Sequence, residues 1–283
     1  MKSLLNLFKL RIGVAIAFAA AAGFAVEQGN SPGKAAMVIL VTAVLLASAA
    51  AGAFNQYIER DLDRRMARTR GRPFVTGALK HGPAWLWLIG AMIAAAVAAA
   101  GLGTNFIAGM YVFLGAFTYG VVYTVWLKPR TWWNIVVGGL AGSFAVLAGA
   151  AAVAPVPGPE AIALAVVLFL WTPPHFWSLA IACRDDYAAA GVPMLPVVVG
   201  NARASRAILA GAALLVAASL VPAAFGLGRL YLAAALAGGV FFLLKCFALA
   251  RRPGRETARA AFLASLAQLG AVLAGAMADV AVG

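Results

Sequence analysis

Nine apolar stretches of about twenty residues each decide what this chain can become. They run near 10–27, 35–57, 84–102, 105–127, 134–154, 161–182, 204–225, 228–250 and 257–279. A bilayer core takes roughly 20 helical residues to cross. A segment in lipid must also satisfy its own backbone hydrogen bonds, so the spanning form is helical. The expected fold is therefore all-α, a polytopic bundle of about nine transmembrane helices in a single domain over 1–283. Composition excludes the soluble alternative: 64% of residues are hydrophobic and 11% charged, against about 45–50% and about 25% in soluble domains. Runs such as Ala49-Ala50-Ala51-Gly52-Ala53 and Gly138-Gly139 suit close helix approach in lipid. The first stretch follows Lys2, Lys9 and Arg11 in the manner of a signal peptide, but the further spans favour a retained helix.

The net charge of +13 would suggest nucleic acid in a soluble chain. Here the basic residues fill the short gaps between spans, so the expected partner is the lipid bilayer and no nucleic acid. Twenty of the 22 Lys and Arg fall on one side, with Lys34 and Arg229 on the other. The positive-inside rule places the N-terminus in the cytoplasm and, after nine spans, the C-terminus outside. Cys183 and Cys246 share the inner side, which argues against a disulfide and offers no metal-cluster spacing.

The rare acidic residues concentrate the chemistry. Asn55, Glu59 and Asp63 stand at i, i+4 and i+8 at the end of the second span. On a helix they share one face, each about 6 Å below the last. An amide still inside the apolar span is costly unless it faces the bundle interior. Oxygen ligands of this kind suit Mg2+ held jointly by protein carboxylates and substrate phosphates. Arg64, Arg65, Arg68, Arg70, Arg72 and Pro73 follow, and guanidinium groups bind phosphate bidentately. Together they describe a diphosphate site on the inner face. The plainer reading is a solvated loop with intrahelical pairs such as Asp61–Arg65.

A second constellation closes the sixth span: Trp171-Thr172-Pro173-Pro174-His175-Phe176-Trp177, then Arg184-Asp185-Asp186-Tyr187. The Pro-Pro pair is expected to interrupt the helix and leave irregular backbone lining a cavity. His175, just after it, has three open uses: contact with a porphyrin, proton transfer, or capping of freed carbonyls. Asp185 and Asp186 repeat the metal theme, although neighbours on a helix point about 100° apart. A third element runs from Tyr119 through Tyr123, Trp126, Lys128 and Arg130 to Asn134. Its aromatics suit the interface, and its cations either snorkel or hold a diphosphate.

These residues resemble a known family. Asn55-x-x-x-Glu59-x-x-x-Asp63, with Arg68-Thr69-Arg70-Gly71-Arg72-Pro73, is similar to the first signature of the UbiA-type intramembrane aromatic prenyltransferases. Tyr123–Arg130, Trp171–Trp177 and Asp186–Pro196 resemble more narrowly the branch that farnesylates protohaem IX. The resemblance implies a UbiA-like nine-helix bundle. It also implies transfer of the farnesyl group of farnesyl diphosphate to a vinyl group of haem b, giving haem O and diphosphate. By this likeness Asn55, Glu59, Asp63 and Asp186 organise Mg2+, and Arg64, Arg68, Arg72, Lys128 and Arg130 neutralise the diphosphate. His175 sits near haem, and Tyr123, Asn134 and Trp177 are substrate contacts. It implies the cell's inner membrane as location, with haem A synthase or a terminal oxidase as assembly partners. Two departures stand out. Glu59 replaces the usual Asp, and Cys183 and Tyr187 occupy the places of a second Asp-x-x-x-Asp. The rivals are a quinone-precursor or chlorophyll-type acceptor and, from another class, a small-molecule transporter. Polar residues crowded on one membrane face favour the enzyme.

Overall fold

The computed structural model describes residues 2–29 and 32–283, with side chains from residue 5 onward. The side chain of Lys2, counted above among the inner-face cations, lies outside the described residues. Among the described residues, nine long helices appear where the apolar stretches predict them: α1 (Leu10–Val26), α2 (Lys34–Ile58), α3 (Ala84–Gly103), α4 (Phe106–Leu127), α5 (Asn134–Val153), α6 (Pro159–Ala182), α7 (Asn201–Phe225), α8 (Arg229–Arg251) and α9 (Arg255–Val282). Eight have 20–28 residues, and α1 has 17. No strand occurs among the described residues.

Each helix packs on the next, α9 closes back onto α1, and α1 also crosses α5. Large apolar side chains such as Trp87, Leu102 and Phe106 point outward, as a lipid-facing surface requires. Inside, small residues set the spacing. A methyl group at Gly23 would run into the carbonyl of Val146, and one at Gly149 into that of Ala20. The α1–α5 crossing therefore needs glycine on both helices.

Three local features position the polar face. First, α2 ends at Ile58 and Glu59 leaves helical geometry (φ −84°, ψ 9°), after which a short helix, Arg60–Arg64, resumes. The i→i+4 bonds survive the bend: Glu59 N–H donates to the Asn55 carbonyl at 2.9 Å and Asp63 N–H to the Glu59 carbonyl at 2.7 Å. The expected shared face is thus kept through a kink.

Second, the C-terminal half of α4, Thr118–Leu127, is a π-helix. Its i→i+5 bonding widens the turn, so residues four and five apart share a face; such segments are frequent at functional sites. Tyr119, Tyr123, Thr124 and Lys128 are brought toward α2 in this way.

Third, α6 runs unbroken through Pro173 and Pro174, which corrects the expected interruption. Proline's fixed φ is itself helical, and the loss is confined to two N–H donors. Two side chains bond back to the helix on either side of the pair, Thr172 Oγ1 donating to the Leu168 carbonyl at 3.0 Å and Ser178 Oγ to the Pro174 carbonyl at 2.7 Å. The Pro174 ring faces Gly211 of α7, where a side chain would stand only 3.7 Å away.

Candidate active site

Asn55, Glu59 and Asp63 are 2%, 5% and 1% exposed and form one buried polar face. Each is met by a different cation from a different part of the chain. Lys9 Nζ donates to Asn55 Oδ1 at 2.6 Å. Lys128 Nζ lies 2.5 Å from Glu59 Oε1. Arg72 reaches both carboxylates, with its guanidinium 2.6 Å from Asp63 Oδ2 and 3.9 Å from Glu59 Oε2. Asn55 is held at its other end as well, Nδ2 donating to Thr124 Oγ1 at 3.0 Å, and that hydroxyl donates to the Tyr119 carbonyl at 2.9 Å. Tyr119 and Tyr123 stack at 5.5 Å beside the cluster, and Lys128 lies 5.7 Å over the Tyr123 ring.

Burial raises the Asp63 carboxyl above its ordinary range against the pull of Arg72. Burial likewise lowers the Lys9 ammonium to about 7, helped by Arg72 and Lys128 and opposed by Glu59. One oxygen stays open: Asp63 Oδ1 is buried without a hydrogen-bond partner. Such an orphan acceptor is costly unless something binds it. Two carboxylates converging on one guanidinium, an amide oxygen and this open oxygen fit a Mg2+ ion held jointly with a diphosphate. No cluster of three His, Cys, Asp or Glu occurs among the described residues, so the protein alone builds no closed metal cage.

The other expected residues divide. Arg68 stays near the cluster's rim, 3.5 Å from the Tyr187 hydroxyl and 5.8 Å over its ring. Arg64 is exposed and pairs with Asp61 at 3.9 Å, in place of the expected Asp61–Arg65 pair. Arg130 donates to the carbonyls of Val125 and Trp126 at 3.0 and 2.7 Å, capping the π-helix; the free carbonyls of a helix C-terminus attract a cation there. Neither cation reaches the acidic face in this structure.

Asp186 turns to the main chain. Its two oxygens accept from the backbone N–H of Ala67 and Arg68 at 3.0 and 3.3 Å. The geometry makes it a clamp on the arginine loop. Asn134 is fully buried with Oδ1 unpartnered, and Trp177 has a buried Nε1–H without an acceptor near Trp132.

His175 is stacked between Trp171 and Phe262 at 4.0 and 4.5 Å. Its Nδ1 lies 2.6 Å from Ser265 Oγ, which is also 2.6 Å from the Phe262 carbonyl. A carbonyl only accepts, so the serine proton goes to Phe262 and Nδ1 carries the ring proton. Nε2 keeps its lone pair. Capping of freed carbonyls, one of the three uses above, is not what His175 does here.

Sequence reasoning missed Lys9, Tyr119 and Thr124. Lys9 read as a positive-inside charge and Tyr119 as an interface aromatic. No local pattern announces the π-helix that brings Thr124 to Asn55.

The model of the UbiA prenyltransferase family matches residues 15–269. The chain belongs to that family. It is an integral membrane protein, and its helical bundle is the UbiA fold. It is 57% identical over 279 residues, covering 99% of this chain and 97% of the relative, to protoheme IX farnesyltransferase 2 of Paramagnetospirillum magneticum. It is 46% identical to protoheme IX farnesyltransferase 1 of the same organism, over 94% of this chain and 93% of the relative. Among solved structures, a UbiA homolog from Archaeoglobus fulgidus bound to DMAPP and Mg2+ superposes with a TM-score of 0.76 at 18% identity, covering 99% of this chain and 100% of the other. Digeranylgeranylglyceryl phosphate synthase superposes at 0.77 and 16%, covering 98% of each chain. These two likenesses establish the fold. Tyr187 is buried against Arg68, so this position presents a phenol and not a carboxylate.

Proposed function

We propose that this protein transfers the farnesyl group of farnesyl diphosphate to a vinyl group of haem b, and that one water adds to the resulting cation and loses a proton, giving haem O and diphosphate on the cytoplasmic side of the membrane. The observation that carries the donor half is the buried Asn55–Glu59–Asp63 face backed by Lys9, Arg72 and Lys128. The acceptor half rests on the likeness to two protoheme IX farnesyltransferases over nearly the whole chain.

Breaking the allylic carbon–oxygen bond leaves diphosphate and a delocalised cation. Mg2+ bound with the diphosphate supplies Lewis-acid neutralisation of the leaving group's charge. Glu59 and Asp63 would hold that ion, and the open Asp63 Oδ1 is the oxygen ready for it. Arg72 and Lys128 stabilise the departing anion in a site poor in water, where a fixed charge acts strongly. The stacked Tyr119 and Tyr123 rings offer π-faces to the allylic cation, and the apolar bundle keeps bulk water from it. Asp186 positions Arg68 through the backbone. His175, with Nε2 bare, is the acceptor-side group.

Purified protein supplied with haem b, farnesyl diphosphate and Mg2+ should yield farnesylated haem by mass spectrometry. Consumption of a quinone precursor or a chlorophyll-type tetrapyrrole, with haem untouched, would overturn the acceptor assignment and leave the donor chemistry standing.

A further inference from the structure

Lys9 occupies the junction between the short helix Lys2–Leu7 and α1. It is the one non-glycine residue with positive φ among the described residues (φ 47°, ψ 42°). The left-handed conformation is unfavourable for an L-residue, and backbone strain of this kind collects at ligand sites. Here it goes with a side chain turned inward across α2. The Lys9 stem passes over Gly52, where a methyl group would stand 3.4 Å from Lys9 Cβ. Nζ ends 2.6 Å from Asn55 Oδ1 and 3.1 Å from the Tyr119 hydroxyl.

Both of those partners are neutral. Arg72 and Lys128, the other cations of the cluster, each pair directly with a carboxylate, and none of the ion pairs among the described residues includes Lys9. Lys9 is half-buried, and an amine at such a site that meets no carboxylate directly lacks its preferred partner. A protein that also bears backbone strain to place one beside Asn55 has built an anion site.

We propose that Lys9 is a further donor-binding residue, whose ammonium takes an oxygen of the prenyl diphosphate and which orients the Asn55 amide until the donor arrives. This assignment rests on the diphosphate-donor reading above. It gives the first helix a part in the reaction and makes the αL turn at Lys9 a specificity device for a charged headgroup.

The competing role is a pin that joins α1 to α2 and α4. Three variants of the full chain, Lys9→Met, Lys9→Gln and Lys9→Arg, separate the two when inorganic diphosphate with Mg2+ is titrated calorimetrically and the melting temperature is read alongside. Lys9→Gln removes the charge and keeps an N–H donor on a side chain one bond shorter, and Lys9→Met keeps the length without a donor. We expect Kd for diphosphate to rise at least tenfold in Lys9→Met and Lys9→Gln and to stay within about threefold in Lys9→Arg. The melting temperature of Lys9→Gln should hold, because no direct ion pair is lost. Wild-type affinity in Lys9→Gln would overturn the assignment, as would a pin-like loss of stability with affinity intact in Lys9→Met. If the wild-type protein binds no diphosphate, the donor reading itself falls. If it binds diphosphate and Lys9→Gln binds it equally, only the Lys9 assignment falls.

Discussion

The ends of α2 and α6 carry polar clusters that look alike in the sequence and differ in the structure. At the end of α2, Asn55, Glu59 and Asp63 are satisfied by mobile cationic side chains, and one oxygen, Asp63 Oδ1, has no partner. At the end of α6, Asp186 and His175 are tied to fixed groups, while the Trp177 Nε1–H has no acceptor. Asp186 is held by two backbone amides, and His175 by Ser265, whose proton is committed to a carbonyl. Contacts to long cationic side chains exchange readily for a ligand. Contacts to the main chain do not, because an abandoned backbone amide must find another partner. The α2 cluster is therefore built to receive charge, and the α6 cluster to hold two parts of the bundle in place.

The largest effect should come from the open oxygen. Asp63→Ala removes it together with the Arg72 partner, and turnover should fall by about 10²–10³, the loss typical of a group aimed at developing charge. The fold should persist, because Arg72 keeps Glu59 within reach at 3.9 Å. Steady-state kinetics beside circular dichroism checks both halves. Near-normal turnover in a folded Asp63→Ala protein would remove the distinction between the clusters.

Asp186→Ala should act more mildly and through another parameter. The arginine loop loses two N–H···carboxylate bonds, so Arg68 is less well placed for the donor. We expect kcat/KM to drop roughly tenfold, about 1.4 kcal/mol, mainly through KM for farnesyl diphosphate. Asp186→Asn keeps one accepting oxygen and should recover part of the loss. A kcat collapse as deep as that of Asp63→Ala would mean that Asp186 meets the reacting groups directly.

This contrast explains what the sequence could and could not tell. The nine spans were legible because bilayer crossing imposes length and apolarity on each segment separately. The Asn55–Glu59–Asp63 face was legible because local i→i+4 spacing sets it, and the kink at Glu59 leaves those bonds intact. Asp186 carries the same carboxylate as Asp63, and nothing local says that its partners lie at Ala67 and Arg68, far back in the chain. Lys9 was hidden by a rule that is otherwise sound, since inner-face lysines are normally solvated. Pro173-Pro174 reads as a break because two N–H donors are lost, yet proline's φ suits a helix already under way.

On the α6 side, Ser265→Ala tests the holding role. The His175 Nδ1–H then has no acceptor, and a buried donor left so costs about 1–3 kcal/mol, a fall in melting temperature of several degrees. Diphosphate binding should be unchanged, and nitrogen NMR of the labelled ring should show the loss of a fixed tautomer. Ser265→Thr, which keeps the hydroxyl, should restore it. Diphosphate affinity that fell with Ser265→Ala would show the two clusters to be one unit.

The smallest effect belongs to the outer end of the bundle, which serves as a control for both clusters. Glu27 accepts the Gly158 N–H at 3.0 Å. Burial raises its pKa above the ordinary 4.5, the Gly158 contact opposes this, and the neighbouring Glu160 charge adds to it. A raised carboxyl keeps its proton to higher pH in the native state than in the unfolded chain. The stability from that proton is complete below 4.5 and is lost as pH rises through the native value. Glu27→Gln keeps an accepting oxygen for Gly158 and has no proton to lose. The variant should therefore melt slightly above wild type at pH 7, the difference should vanish below pH 4.5, and turnover should match at every pH. Parallel melting curves would remove the carboxyl from the pH response. A change in turnover would be more damaging, because it would mean that the α2 cluster senses charge at the opposite end of the bundle and is not a self-contained charge receiver.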